Sequence, residues 1–236
     1  PLPVPAPEEL VNLSSPGPRQ GSTSCNQAGS CDEIFSHPMF RDLERVQSSF
    51  TGIAGHRLFS VNVGHQGVTE NGDGVMVSGS YFPVLGITPA AGRLLGPDDD
   101  RTPGGHYVTV LSHEYWRRRF NEDPAIVNQT IIVNGEAMTV VGVAPAGFYG
   151  TTIGARPYLF VPITMRERMQ RSFLPNAAVF ENRRNYWVYL FARLKPGVTL
   201  ESAQVALNGP YHAIINDVEP PLQRGMSEET MAGVKA

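Results

Sequence analysis

Tyr186-Trp187-Val188-Tyr189-Leu190-Phe191-Ala192-Arg193-Leu194 is the stretch on which the reading of this chain turns. It is almost continuously apolar and rich in aromatic and β-branched residues, the mark of a strand covered on both faces. Such a strand needs a neighbour on either side and packing above and below. Outside the middle of the chain, the strands with comparable apolar content are Leu10 to Leu13, Arg57 to Val63 and Val75 to Val77. Two helices supply cover. One runs from 38 to 50, with Met39, Phe40, Leu43, Val46 and Phe50 at helical spacing, Pro38 in its first turn and Thr51-Gly52 ending it. The other starts at the cap Thr199 and carries Leu200, Ala203, Leu207, Tyr211 and Ile214 on one face; Asn208-Gly209-Pro210 is expected to kink or split it.

The middle of the chain reads as short strands and turns. Asn71-Gly72-Asp73-Gly74 predicts a turn, and Ser80 to Gly86 a single helical turn closed by glycine. Val108 to Leu111 is a strand, followed by a helix capped by Ser112 whose last turn holds Arg117, Arg118 and Arg119. Thr130 to Val143, broken by Asn134-Gly135, predicts a hairpin with a two-residue primed turn. Tyr158 to Val161 is a further strand, and Arg166 to Arg171 a surface helix.

Composition agrees with a turn-rich α+β protein. The 236 residues include 24 glycines and 20 prolines, too many for a helical bundle, and 41 % apolar residues, enough for a real core. A net charge of −3 makes no case for nucleic acid or an anionic membrane. No stretch is long and apolar enough to span a bilayer. Neither end looks like a natural terminus, so a soluble segment of a longer polypeptide is expected. Cys25 and Cys31 are the only cysteines. Six positions apart in a Gly/Ser loop, they can close a small disulfide, which suits an oxidising compartment. The bland alternative is two unrelated exposed thiols, and the disulfide is favoured because exposed free thiols are a liability.

No catalytic constellation is legible in the sequence. The six histidines are scattered, and no two have zinc-binding spacing. Gly72-Asp73-Gly74 lacks the third glycine of a dinucleotide loop, and Ser78-Gly79-Ser80 lacks the spacing of a nucleophile elbow. Asp98-Asp99-Asp100 lacks the pattern of a calcium loop and reads as a solvated turn. Arg117 to Arg119 can grip a phosphate, but a solvated helix end is the simpler reading. Tyr186, Trp187, Tyr189 and Phe191 are pocket candidates whose simpler reading is strand core. No catalytic, cofactor-binding or metal-binding residue is assigned, no cofactor is expected, and no enzyme is expected.

One ordered set of motifs carries a resemblance. Val77-Ser78-Gly79-Ser80-Tyr81-Phe82-Pro83-Val84-Leu85-Gly86, leading to Gly92-Arg93-Leu94-Leu95, resembles the periplasmic core domain of MacB-like ABC transporter permeases, of the FtsX-like permease family. Val110-Leu111-Ser112 with Tyr115 to Phe120 and Asp123-Pro124 is similar to the helix that follows in such domains. Ile132-Val133-Asn134-Gly135 with Thr139 to Pro145 is similar to their hairpin, and Leu194-Lys195-Pro196-Gly197-Val198-Thr199-Leu200-Glu201 to their return strand, turn and helix. Phe35 to Arg41 and Gly147-Phe148-Tyr149-Gly150-Thr151 look closer to the large, often duplicated permeases. The cysteine-bearing loop and the Gly209-Pro210 break depart from the pattern.

The resemblance implies a two-lobed fold in which residues 1–88 and 184–236 form a porter-like α/β lobe and residues 89–183 an inserted β-rich lobe. It implies a periplasmic, extracytoplasmic segment of an inner-membrane protein, set between two transmembrane helices. Its partners would be those helices, a cytoplasmic ATPase subunit, a second permease copy and periplasmic proteins. Its function would be to couple ATP-driven helix motion to export or to those partners. The alternative is an extracytoplasmic module that binds a small ligand or a partner and has no transport role.

Overall fold

The computed structural model describes residues 2–16, 21–170 and 179–218. Strands follow in the order β1 Leu10–Asn12, β2 Ser22–Thr23, β3 Ile34–Ser36, β4 Phe50–His65, β5 Val68–Val77, β6 Ala91–Gly92, β7 Val108–Leu111, β8 Thr130–Val133, β9 Glu136–Val143, β10 Leu159–Pro162 and β11 Asn185–Leu194. The α-helices are α1 His37–Val46, α2 Tyr81–Leu85, α3 His113–Phe120, α4 Arg166–Met169 and α5 Leu200–Ala213. The chain divides into two compact units, Pro1–Pro7 with Ala54–Ala177, and Glu8–Ile53 with Ala178–Ala236. The lobes expected from sequence change at 88/89 and 183/184, whereas these units change at 53/54 and 177/178. The difference comes from β4 and β5, whose long mutual ladder, His56↔Val77 to His65↔Val68, keeps most of both strands with the middle of the chain.

In the first unit the pairings close on themselves. β4 pairs antiparallel with β5, β5 parallel with β10, β10 antiparallel with β7, β7 parallel with β9, and β9 with its hairpin partner β8. β8 then returns to β4 through Val63↔Val133 and Gly64↔Ile132, so six strands form a ring, the arrangement that removes open edges from a sheet. Met76, Val110, Val133, Val140 and Phe160 are wholly buried in this unit. The expected hairpin at Asn134-Gly135 is present, both residues having positive φ. The expected turn at Asn71–Gly74 is not there. The chain reverses at Gln66-Gly67, and Asn71–Gly74 is paired strand. Those glycines serve packing: a Cβ on Gly72 would lie 2.5 Å from the Tyr158 ring, and one on Gly74 2.6 Å from that of Phe59.

The Ser78–Gly86 motif is a clamp at the end of β5. The buried Ser78 hydroxyl accepts from the Gly55 N–H at 2.9 Å and meets the Ser80 hydroxyl at 2.8 Å. Gly79 lies flat on the next segment, where a Cβ would come within 2.6 Å of the Pro97 Cα, and its N–H donates to Asp100 Oδ2 at 2.9 Å. Asp98–Asp100 is therefore not simply a solvated turn. Asp99 and Asp100 are buried, and Asp99 holds Arg93 through two hydrogen bonds of 2.6 and 2.9 Å. Gly86 closes the turn in the left-handed conformation at φ 68°.

In the second unit β11 lies between β1 and the start of β4 in the strand order. β1 pairs with it antiparallel from Leu10↔Arg193 to Asn12↔Phe191, β2 parallel at Asn185↔Ser22, and β3 antiparallel at Tyr186↔Ser36. β11 does not pair with the 130–143 hairpin. α1 packs on β11 with Met39, Phe40 and Leu43 buried, capped by Ser36, whose hydroxyl accepts from the Met39 N–H. It stops at Val46, not at Phe50, because the Gln47 side chain accepts from the Phe50 N–H at 2.9 Å and turns the chain into β4. α5 also departs from expectation. It runs unbroken through Pro210 and widens into a π turn at Ile214–Val218, and of its apolar stripe only Ala203 and Ile214 are buried, with Leu200 59 % exposed. The Arg166–Arg171 surface helix is shorter and more buried than expected. α4 buries Arg166 and Met169, and burial, with Arg57 adding its charge, pushes the Arg166 guanidinium down to about 9. Arg171 itself and the chain after 218 lie outside the described residues.

Candidate functional site

α3 begins where β7 ends, and its cap fixes the site. The Ser112 hydroxyl accepts from the Tyr115 N–H at 3.2 Å, which sets the first turn and brings Glu114, Arg117 and Arg118 to one cleft. The opposite wall is the 149–158 segment, with Tyr149, Arg156 and Tyr158, and the cleft holds about 580 Å³. Every lining residue belongs to the first unit.

Flat rings and guanidinium groups alternate along the walls. The Tyr115 and Tyr158 rings stack with centroids 4.4 Å apart and planes at 9°. The Arg118 guanidinium lies 5.5 Å from the first centroid and 5.0 Å from the second, and Arg156 lies 4.2 Å from that of Tyr149, both within cation–π range. The Tyr158 hydroxyl donates to the Asn71 carbonyl at 3.1 Å, and its ring lies where Gly72 leaves room, so the strand glycine shapes the cleft.

The charges are unequal. Three lining arginines face one lining carboxylate, Glu114, on a chain whose net charge is −3. Arg117 Nη2 donates to both Glu114 oxygens at 2.8 Å, which lowers the Glu114 pKa and raises that of Arg117. Arg118 reaches Glu70 at 3.3 Å, and Arg119 reaches the same residue at 3.7 Å. Burial pushes the Tyr115 hydroxyl up, with the Glu70 charge acting in the same direction, so the phenol stays neutral. Arg156 donates to the neighbouring Ala155 carbonyl and covers Tyr149, and no carboxylate among the described residues pairs with it. The site can hold an anion and a flat apolar body side by side.

The residues singled out from sequence fall elsewhere, with one exception. Trp187, Tyr189 and Phe191 are buried and Tyr186 half-buried, so these aromatics form core. Trp187 stacks on His37 at 7° and donates to the Val179 carbonyl. Cys25 and Cys31 are bonded, with Cα atoms 5.2 Å apart, in a loop tied to β11: the Tyr189 hydroxyl accepts from the Asn26 N–H at 2.8 Å and faces the Asn26 and Gly29 carbonyls at 3.1 Å. The exception is Arg117–Arg118, which line the cleft. Among the described residues no group of three His, Cys, Asp or Glu side chains is placed to hold a metal ion. Tyr149, Arg156 and Tyr158 were not found by sequence reasoning as site residues. Only the two-residue spacing of Arg156 and Tyr158 around Pro157 signals them, and nothing in it points to α3.

A six-stranded ring lying between two chain segments that themselves join into an αβ unit defines the class: a two-unit α+β module, not a simple sandwich or a doubly wound sheet. The chain belongs to the MacB-like periplasmic core domain family, whose profile matches residues 10–209. Solved structures agree. The periplasmic region of MacB from Actinobacillus actinomycetemcomitans is 18 % identical with a TM-score of 0.57, covering 82 % of this chain and 81 % of that one. The extracellular domain of the noncanonic ABC-type transporter YknZ from Gram-positive bacteria is 11 % identical with a TM-score of 0.56, covering 85 % of this chain and 94 % of that one. No curated protein sequence matches the chain. The protein is thus an extracytoplasmic (periplasmic) domain of an ABC transporter permease, a class that works with transmembrane helices and an ATPase. No helix among the described residues is long and apolar enough to cross a membrane.

Proposed function

We propose that this domain couples ATP-driven motion of the permease's membrane helices to export, or to proteins on the outer side of the membrane. The observation that supports the reading is the chain path: Glu8–Ile53 and Ala178–Ala236 form one unit, and Ala54–Ala177 with the short segment Pro1–Pro7 forms the other. In this reading the unit of Glu8–Ile53 and Ala178–Ala236 belongs to the porter-like lobe and receives the motion of the membrane helices. The ring strands within residues 89–183 belong to the inserted β-rich lobe of this reading. Two rigid bodies joined by chain crossings are suited to transmit motion, and the task needs no catalytic group, so the domain has no hydrolase, transferase or redox activity of its own. The partners are the permease's transmembrane helices, a cytoplasmic ATPase, a second permease copy and periplasmic proteins, and no nucleic acid or cofactor is involved. The Cys25–Cys31 bond belongs with an oxidising compartment and stiffens the loop before β3.

The test compares ATP hydrolysis by the full-length permease, assembled with its ATPase in lipid vesicles, with hydrolysis by a variant in which Ala54–Ala177 is replaced by a Gly/Ser linker. Coupling predicts a several-fold change in the hydrolysis rate of the assembled transporter. An unchanged rate in a correctly inserted variant favours a binding module without transport role, the reading that the arginine cleft would otherwise support.

A further inference from the structure

The geometry points to the α3 cleft as a binding site for an organic carboxylate carried on a flat ring, a site independent of whether the domain couples transport. Three observations converge. The cleft has an excess of fixed positive charge on a chain of net charge −3, so an anion is drawn to this place against the overall field. Its arginines differ in availability. Arg117 and Arg118 are paired with Glu114 and Glu70, whereas Arg156 has only a neighbouring carbonyl and the Tyr149 ring. Finally, the rings that line the cleft between the guanidinium groups and keep some exposure are those of Tyr149 and Tyr158, whereas Tyr115 is buried and stacked on Tyr158.

The three features select the ligand. A carboxylate matches the two-pronged guanidinium geometry, and Arg156 has no carboxylate partner among the described residues. Inorganic phosphate would use the charge but make no stacking contact with Tyr149 or Tyr158. A neutral aromatic would use the rings but leave Arg156 without a counter-charge. A ring bearing a carboxylate uses both, and a volume of about 580 Å³ accommodates one or two fused rings with their substituents.

The test is a titration of the protein, with amide shifts of the 112–118 and 149–158 segments followed by NMR. The probes are 2-naphthoate, 2-naphthamide, inorganic phosphate and a Glu-rich decapeptide. The expected result is saturable shifts with 2-naphthoate at both segments, with the amide and phosphate each about tenfold weaker or more, as the loss of a charge-assisted contact or of ring stacking implies. Arg156→Gln, an exposed position whose folding is checked by the unchanged dispersion of the remaining amides, is expected to weaken 2-naphthoate by a similar factor and the amide not at all. Equal binding of the amide, equal binding of phosphate, preference for the peptide, or no shift in either segment would each overturn the assignment.

Discussion

Two buried residues show how single side chains set the limits of this fold. His56 lies wholly buried on β4, and burial lowers its pKa from 6.5 to about 4. The folded state keeps the imidazole neutral while the unfolded chain takes up a proton near 6.5. The stabilisation is therefore complete above about pH 6.5 and is lost as pH falls towards 4, a change of about 3 kcal/mol for this group alone. Urea unfolding of the wild type and of His56→Gln at pH 7 and pH 4 is expected to show the wild type losing about that much more than the variant; parallel losses would refute it. Gly142 is the second case. A Cβ there would stand 2.1 Å from the Arg93 carbonyl oxygen and 2.6 Å from its nitrogen, where β6 crosses β9, and both of those atoms are backbone. Gly142→Ala is expected to cost about 3 kcal/mol or more in thermal or chemical unfolding, well above an ordinary surface change.

Elements with purely local causes were legible in the sequence, and those shaped by distant partners were not. The Asn134-Gly135 hairpin, the Ser112 cap and the Gly86 stop follow from backbone preferences within a few residues, and all three are present. Asn71–Gly74 reads as a turn because polar and glycine-rich residues signal one locally, yet it is strand. Their place in β5 depends on Tyr158 and Phe59, and Tyr158 is far away in sequence. The triple aspartate likewise reads as a solvated turn, because its buried role depends on Gly79 and Arg93. The cleft was half legible: α3 announces its arginines, but the opposing wall comes from a segment without periodicity. The loop before β3 carries an element-scale prediction. Replacing both cysteines by serine removes a short loop closure worth about 2 kcal/mol in the chain-entropy model. Tyr189→Phe removes the hydroxyl that the Asn26 N–H and two carbonyls face, about 1–3 kcal/mol. Both variants are expected to speed proteolysis within 21–33 before the ring unit is cut, and a thiol assay that finds two free cysteines in oxidised wild-type protein would contradict the bridge.

At the scale of the molecule, the account holds that two rigid units relay motion of the membrane helices. Each unit has its own buried aromatic centre: Tyr81, Phe82, Phe148 and Phe160 in the ring unit, and Trp187 with His37 and Phe40 in the other. Packing of this kind resists deformation, so change is expected between the units and not within them. Ile153, 99 % exposed in the ring unit, and Leu200, 59 % exposed on α5 in the other, are suitable labelling positions. With spin labels at both in the full-length permease, assembled with its ATPase in lipid, pulsed EPR distances are compared between the nucleotide-free and vanadate-trapped states. The account predicts a shift of the distance distribution on trapping, and superimposable distributions in a transporter that still hydrolyses ATP would contradict it.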